Sequence, residues 1–225
     1  MKATKQPTAI ANSITLMYKL TTRGLATYNN TLWTPGVWKK TSGEGEMCGP
    51  GWLHCYSHPE LALLLNSGHA ELFRPLLWEI EVAGQHTTDG LKHATTEQRL
   101  MRQIPTPPIF EHEAKVFGVL CALKASQEKE ELNWQLPNET WATWAENYLS
   151  GNLCPPPRVR FYSEIHNILE ESYHTNDVIR RCRALFSLIS RAFCDQEGLE
   201  NAWERAKKIS ESHKVAYPSK LWRFP

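Results

Sequence analysis

The sequence lacks the features that mark a membrane protein or a strongly basic nucleic-acid binder. No window approaches the roughly 18 apolar residues that a membrane-spanning helix needs. Residues 1–12 contain no apolar core of a secretory signal, so the six cysteines are expected to be reduced thiols. The formal net charge is only +1 at pH 7, without the basic excess typical of dedicated nucleic-acid binders. We expect a cytoplasmic protein that does not interact with a membrane.

The composition is that of a folded globular protein. Hydrophobic residues make up 41% of the sequence and charged residues 22%, which are ordinary values. A chain of 225 residues buries roughly 70% of its unfolded surface when it folds. It therefore needs neither disulfides nor a structural metal for stability.

Strand patterns precede the proline cluster Pro105–Pro108, and helical patterns follow it. This order predicts an α+β fold, with a mixed or antiparallel β-rich N-terminal half and a helical C-terminal half. We expect a flexible N-terminus at 1–13, a β-rich binding and catalytic half at 14–107, and a helical half at 108–225 packed on it. Together they are expected to form one compact domain.

Alternation and turn residues predict the individual elements. Strands are expected at 14–20, 52–56, 76–82, 91–94 and 99–104, with a loop from Gly84 to Gly90. Ser57 is expected to cap a helix that begins at Pro59. Further helices are expected at 110–126, 138–149, 161–173, 177–195 and 199–212.

The segment Cys48–Pro59 contains the strongest candidate chemistry. Its cysteines and histidines are zinc-type ligands, but the adjacent His54 and Cys55 point to opposite faces of a strand, so we expect no metal. The alternative is a site formed by a glycine turn, a strand edge and a helix start, which favours an anionic ligand. A capped surface turn with an aromatic core strand would produce the same pattern.

Catalytic candidates are His54 in this segment and two carboxylates, Asp89 and Glu97. Asp89 lies in a loop rich in glycine and threonine, where a carboxylate is exposed and its direction is set by the backbone. Aromatic residues nearby offer stacking surfaces for a base, although most are expected in the core. The substrate-binding candidates are Lys19, Tyr28, Asn30, Trp33, Trp52, Tyr56, Ser57 and Lys92.

Two local groups of basic residues are candidate contacts for nucleic-acid phosphates, despite the neutral overall charge. Arg180, Arg181 and Arg183 belong to a stretch without an acidic residue. Lys207 and Lys208 begin a basic C-terminal stretch. Such groups bind phosphates in nucleic-acid-binding proteins, and a solvated helix face is the alternative explanation.

Several segments resemble known families. Six segments resemble a family of small uncharacterised proteins common in phage genomes and bacterial defence regions: Tyr18–Leu20, Cys48–Ala62, Leu77–Gly84, Gly90–Lys92, Phe117–Leu123 and Trp144–Gly151. A weaker resemblance links the strand, glycine turn and helix to the ADP-ribosyltransferase fold. That resemblance implies that Lys19 and residues 51–62 would hold NAD.

Both resemblances imply cleavage of an N-glycosidic bond, with no resident cofactor. The first expectation is a hydrolase of the DNA glycosylase type that binds phage-derived DNA and excises a modified base, in antiviral defence. One alternative is an NAD-dependent ADP-ribosyltransferase or NAD glycohydrolase. Another is a non-catalytic adaptor that binds a phage or host protein.

Overall fold

A computed structural model describes residues 8–9, 15–127, 138–152, 163–169 and 175–213. The chain divides into two compact units between Pro107 and Pro108, within the proline cluster. We call residues up to 107 the sheet unit and the later residues the helical unit. The antiparallel sheet lies in the first and the long helices in the second, which confirms the α+β prediction.

The sheet unit contains one large sheet and a small hairpin. The strands are β1 (Thr8–Ala9), β2 (Thr15–Thr21), β3 (Ala26–Thr27), β4 (Thr31–Leu32), β5 (Trp38–Lys40), β6 (Leu53–Cys55), β7 (Leu76–Thr88) and β8 (His93–Ile104). A short 3-10 turn, Tyr28–Asn30, joins β3 to β4. Strand β1 pairs with β7, although it lies in the segment predicted to be flexible; residues 1–7 and 10–14 lie outside the described residues.

The large sheet is antiparallel and closes on itself. Strands β7 and β8 form its central hairpin; β1 and β2 pair with β7, while β5 and β6 pair with β8. Tyr18 on β2 and Tyr56 after β6 then exchange two backbone hydrogen bonds of 2.8 and 2.9 Å. We call this contact the tyrosine seam.

The inner face of the closed sheet forms an apolar core. Strand alternation points Trp78, Ile80 and Val82 inward, as the sequence predicts. Their outward neighbours Glu79 and Glu81 form ion pairs with arginines of β8. The inner cluster comprises Met17, Trp33, Leu53, Cys55, Trp78, Ile80, Val82 and Leu100.

The prediction of a loop from Gly84 to Gly90 is wrong, because strand β7 continues to Thr88. A register shift between Ala83 and His86 absorbs the irregularity, with Gly84 at φ +81°. This is the geometry of a β-bulge, in which glycine interrupts the pattern without ending the strand. The two short strands predicted at 91–94 and 99–104 are parts of one strand, β8, which pairs with β7 from His93 to Ile104.

Helix α1 (Pro59–His69) begins where the sequence predicts, with Pro59 in its first turn. The N-cap position is His58, not Ser57 as predicted. The helix is buried on most of its surface, from Leu61 through Asn66. It contacts β2, and its last residue, His69, lies against the end of β6.

The helical unit contains α2 (Glu111–Gln127), α3 (Asn138–Leu149), α4 (Ser163–Leu169), α5 (Thr175–Ala192) and α6 (Gln196–His213). The predicted bounds agree within a few residues at most ends. Helix α2 contacts the other four and is buried along most of its length. Phe117 on α2 packs edge-on against Trp203 on α6, with ring centroids 5.3 Å apart.

Helices α2, α3 and α6 border a cleft of about 830 Å³ in the helical unit. Its apolar lining includes Leu120, Leu149 and Phe193. Lys124 and Arg205 contribute positive charges to the same lining. The cleft is thus amphipathic.

Candidate active site on the sheet unit

Strand β6 directs His54 and Tyr56 away from the apolar core. Leu53 and Cys55 are buried inside the closed sheet, so strand alternation places His54 on the other face. Tyr56 follows on that face and is held by the tyrosine seam. Within the Cys48–Pro59 segment, the Cys55 side chain therefore faces the core, and the His54 side chain faces the opposite side of the sheet.

A tight loop fixes the His54 ring. The Gly43 N–H donates to the Gly51 carbonyl at 2.9 Å, and a Cβ at Gly51 would lie only 2.1 Å from the Glu44 carbonyl oxygen. His54 Nε2 lies 2.7 Å from the Met47 carbonyl, which can only accept, so Nε2 carries the proton. The Nδ1 atom of His54 is left with a lone pair.

A second imidazole belongs to the same region. The hydroxyl of Tyr56 lies 3.0 Å from His69 Nδ1, and the two rings stack with centroids 5.9 Å apart. Burial raises the pKa of Tyr56 well above its usual value, so the hydroxyl keeps its proton and donates to Nδ1. His69 is then a neutral imidazole that carries its proton on Nε2.

The turn between β7 and β8 supplies a carboxylate and an ammonium. Oδ1 of Asp89 accepts the backbone N–H groups of Leu91 and Lys92 at 2.9 and 3.0 Å. The Lys92 side chain is only 9% exposed, and its Nζ lies 3.9 Å from Asp89 Oδ2 and 3.5 Å from Cys48 Sγ. The turn therefore sets the positions of both charges.

Electrostatic effects link these groups. Burial lowers the pKa of His54 to about 4, with smaller effects from Lys92 and Lys19, which lower it, and Asp89, which raises it. Burial also lowers the pKa of His69 to about 3, and Lys92 and Asp89 again contribute. Both imidazoles are neutral near pH 7. We call Cys48, His54, Tyr56, His69, Asp89 and Lys92 the His54 cluster.

The His54 cluster combines a carboxylate, an ammonium and two neutral imidazoles. At neutral pH, His54 is a hydrogen-bond acceptor at Nδ1 and not a general acid. Lys92 is the donor with a positive charge, and Asp89 is the negative charge beside it. This set can stabilise opposite charges that develop in one reaction.

Five residues predicted to bind substrate are buried: Lys19, Trp33, Trp52, Tyr56 and Lys92. Tyr56 and Lys92 belong to the His54 cluster, whereas the other three lie elsewhere in the interior. Lys19 is 5% exposed, and its ammonium donates to the His54 carbonyl and to Gln98 Oε1 and lies 4.5 Å from the centre of the Trp33 ring. Burial lowers the pKa of Lys19 to about 8. Trp33 and Trp52 are 5% and 7% exposed, so neither is an open stacking surface.

The remaining candidates of the sheet unit are distributed over its surface. Glu97 forms an ion pair with Lys40 at 2.9 Å and is not one of the groups of the His54 cluster. Tyr28 and Asn30 are exposed on the 3-10 turn. Ser57 is partly buried just before the N-cap of α1.

The basic candidates of the helical unit differ in exposure. Arg181 is 5% exposed and pairs with Glu111 at 3.2 Å, so its guanidinium is part of the helix packing. Lys207 pairs with Glu204 at 2.5 Å. Arg180, Arg183 and Lys208 are exposed. The predicted basic stretch beyond residue 213 lies outside the described residues.

His69 and Cys48 belong to the cluster but were not chosen as site residues from the sequence. His69 ends an apolar helix, and only the packing of α1 beside β6 brings it to Tyr56. In the sequence, the feature that could have indicated His69 as a site residue is its position among the six histidines from His54 to His112. The sequence indicates Cys48 only as a zinc-type ligand, and its contact with Lys92, 44 residues away, appears only in the folded structure.

Within the described part of the chain, no three histidine, cysteine, aspartate or glutamate side chains are arranged to bind a metal ion. His86 and His93 form a separate stacked pair, with Nε2 and Nδ1 2.8 Å apart. None of the described helices is long and apolar enough to cross a membrane.

Comparison with protein-family models, curated sequences and solved structures gives no match to this chain. The geometry of the His54 cluster is therefore the basis for inferring what the protein does.

Proposed function

We propose that the His54 cluster hydrolyses an N-glycosidic bond, and that its substrate is a modified base in phage DNA. The observation that supports this proposal is the placement of Asp89 and Lys92 beside His54, on one turn and one neighbouring strand. Cleavage of an N-glycosidic bond develops positive charge on the sugar and negative charge on the base. A carboxylate and an ammonium held side by side match those two charges.

Each group has a distinct role in the proposed reaction. Water attacks the anomeric carbon, and the bond to the base breaks with its electron pair leaving on the base nitrogen. Asp89 stabilises the oxocarbenium-like sugar and receives a proton from the water. Lys92 donates a proton to the departing base, and Nδ1 of His54 orients the water as a hydrogen-bond acceptor.

DNA is the preferred substrate because the helical unit exposes cationic side chains. Arg180 and Arg183 on α5 and Lys208 on α6 are exposed to solvent. Such residues neutralise phosphates without reading sequence, which suits an enzyme that recognises the flipped base in its own site. NAD is a weaker candidate, because the ammonium of Lys19 is committed to partners inside the sheet.

The test measures free base released from unmodified DNA and from phage-modified DNA, with nicotinamide release from NAD assayed in parallel. Asp89→Asn retains Oδ1 as an acceptor for the turn and removes the charge, so we expect base release to fall by about 100-fold or more. Glu97→Gln is the matched control and is expected to retain the wild-type rate, because Glu97 pairs with Lys40.

The outcomes separate the candidate functions. Nicotinamide release without base release would replace the DNA substrate by NAD. The absence of both products from the wild-type protein would contradict catalysis and favour the adaptor function. Equal losses in Asp89→Asn and Glu97→Gln would contradict the assignment of Asp89.

A further inference from the structure

Lys92 and Cys48 form a contact between an amine and a thiol that the proposed reaction does not use. Nζ of Lys92 lies 3.5 Å from Sγ of Cys48, and the lysine side chain is only 9% exposed. Cys48 itself is exposed. A small oxidant in solution can thus reach the sulfur while the nitrogen stays beside it.

The surrounding structure holds both partners in place. Cys48 lies between Met47, whose carbonyl accepts from His54, and Gly49, whose N–H donates to the Glu46 carbonyl at 2.7 Å. Lys92 is fixed by its backbone N–H to Asp89 and by its carbonyl, which accepts from Thr88 Oγ1 at 2.8 Å. The contact therefore joins two anchored loops, and little motion is needed for a bond to form.

We propose that hydrogen peroxide converts this pair into a covalent nitrogen–oxygen–sulfur link between Lys92 and Cys48. The first peroxide oxidises the thiol to a sulfenic acid: the peroxide O–O bond breaks, an S–O bond forms and one water leaves. A second peroxide takes two electrons from the sulfenic acid and the amine, so that the nitrogen bonds to the sulfenic oxygen. In total, the ammonium, the thiol and two peroxides give the link, three waters and one proton, which Asp89 or the solvent accepts.

Cys48 combines an exposed thiol with a contact to a lysine amine, and this combination distinguishes it from the other cysteines that the structure describes. Cys55, Cys121 and Cys182 are buried, and burial raises the pKa of Cys55 and of Cys182 to about 12, which keeps both as unreactive thiols. Cys194 is exposed like Cys48, but no hydrogen bond joins it to a lysine among the described residues. Cys194 is expected to follow the ordinary oxidation series to sulfinic and sulfonic acids.

The link is a modification of the site that reductants reverse. It replaces the Lys92 ammonium by a neutral nitrogen and ties the β7–β8 turn to the loop before β6. The His54 cluster then loses its only ammonium, so oxidation would switch off chemistry that needs this charge. The formation of the link does not depend on the reaction that we propose for the cluster.

The experiment treats the full-length protein with a small excess of hydrogen peroxide and measures the mass of the intact chain and of its peptides. We expect a mass change of one oxygen gained and two hydrogens lost, reversed by dithiothreitol. A protease that does not cut at lysine should yield one species containing both Cys48 and Lys92. Cys194→Ser is expected to form the link, while Cys48→Ser and Lys92→Arg are not.

The peptide masses of the wild-type protein are sufficient to support or overturn the proposal, so the test remains decisive if a variant does not fold. Conversion of Cys48 to sulfinic or sulfonic acid, with Lys92 recovered in an unmodified peptide, would overturn the proposal. A link that forms in Cys48→Ser would also overturn it. Because the readout is mass, a protein without base-release activity can still show the link, and an active protein can fail to show it.

Discussion

Lys19 is a buried ammonium that has no carboxylate among the partners described for it. Its contacts are the His54 carbonyl, Gln98 Oε1 and the face of Trp33, which together occupy the directions of its donors. Gln98 completes the network through its Nε2, which donates to the Leu53 carbonyl at 2.7 Å and to Thr95 Oγ1 at 3.0 Å. One lysine and one glutamine thus connect β2, β6 and β8 inside the core.

Replacing Gln98 by methionine should remove these connections while preserving side-chain volume. Lys19 would lose an acceptor and the Leu53 carbonyl a donor, so we expect the free energy of unfolding to fall by about 2–4 kcal/mol. Chemical denaturation measures the loss. Gln103→Met at an exposed position of the same strand is the control and should change stability by less than about 0.5 kcal/mol. Equal stability of the two variants would show that the buried network is not stabilising.

The β7–β8 hairpin shows which features of an element its sequence reveals. Leu76–Val82 alternates clearly, and the structure confirms both its strand and its inward face. The continuation from Gly84 to Thr88 was missed because glycine, glutamine and threonine resemble a loop, and the pairing that makes them a strand comes from β8. Local composition does not contain that information.

The substitution Gly84→Ala tests whether the β-bulge requires glycine, and Gly36→Ala is the matched control. Both glycines have positive φ, +81° and +79°, so alanine carries a similar backbone penalty of about 1 kcal/mol at either site. A Cβ at Gly84 would lie 2.1 Å from Thr96 Oγ1, which accepts the Gln85 N–H. At Gly36 an added Cβ would have no atom of the described residues within 4 Å, its chain neighbours aside. We expect Gly84→Ala to lower the melting temperature clearly more than Gly36→Ala. Equal shifts would mean that the hairpin adjusts without loss.

The candidate site, like the β7–β8 hairpin, could be predicted only in part from local sequence. Local patterns predict His54, Tyr56 and Asp89 as site residues, and Lys92 lies in a segment that carries the family resemblance. The structure places the four together. His69 contacts Tyr56 because helix α1 packs beside β6. Lys19 and Trp33 were expected to face a ligand, but the closed sheet buries both. Burial on one side or the other of a strand follows from pairing with distant segments, which sequence alternation alone does not fix.

At the scale of the whole molecule, each unit has its own core and its own buried imidazoles. His54 and His69 belong to the sheet unit, and burial is the largest cause of their lowered pKa values, about 4 and about 3. In the helical unit, burial lowers the pKa of His112 to about 4, with further lowering by His213 and Lys115. His112 Nε2 lies 3.3 Å from His213 Nδ1, which joins α2 to α6.

These shifts predict acid sensitivity of the folded chain. Above pH 6.5 the imidazoles are neutral in both states; as pH falls from 6.5 toward 4, they take up protons in the unfolded chain but not in the folded one. Stability should therefore decrease steadily across this window. Denaturant titrations between pH 7 and pH 4.5 measure it, and His112→Gln is expected to flatten the dependence. A stability independent of pH in this range would contradict the buried, neutral state of these rings.

At the tyrosine seam, a single layer of β-sheet separates the apolar core from the His54 cluster. We refer to this layer as the wall. His54 spans this wall, because its carbonyl accepts from Lys19 on the inside while its ring faces the cluster outside. The charge of Lys19 also acts on the pKa of His54 through the same wall. A substitution in the interior, with no surface atom altered, can therefore adjust the proton affinity of the site from behind.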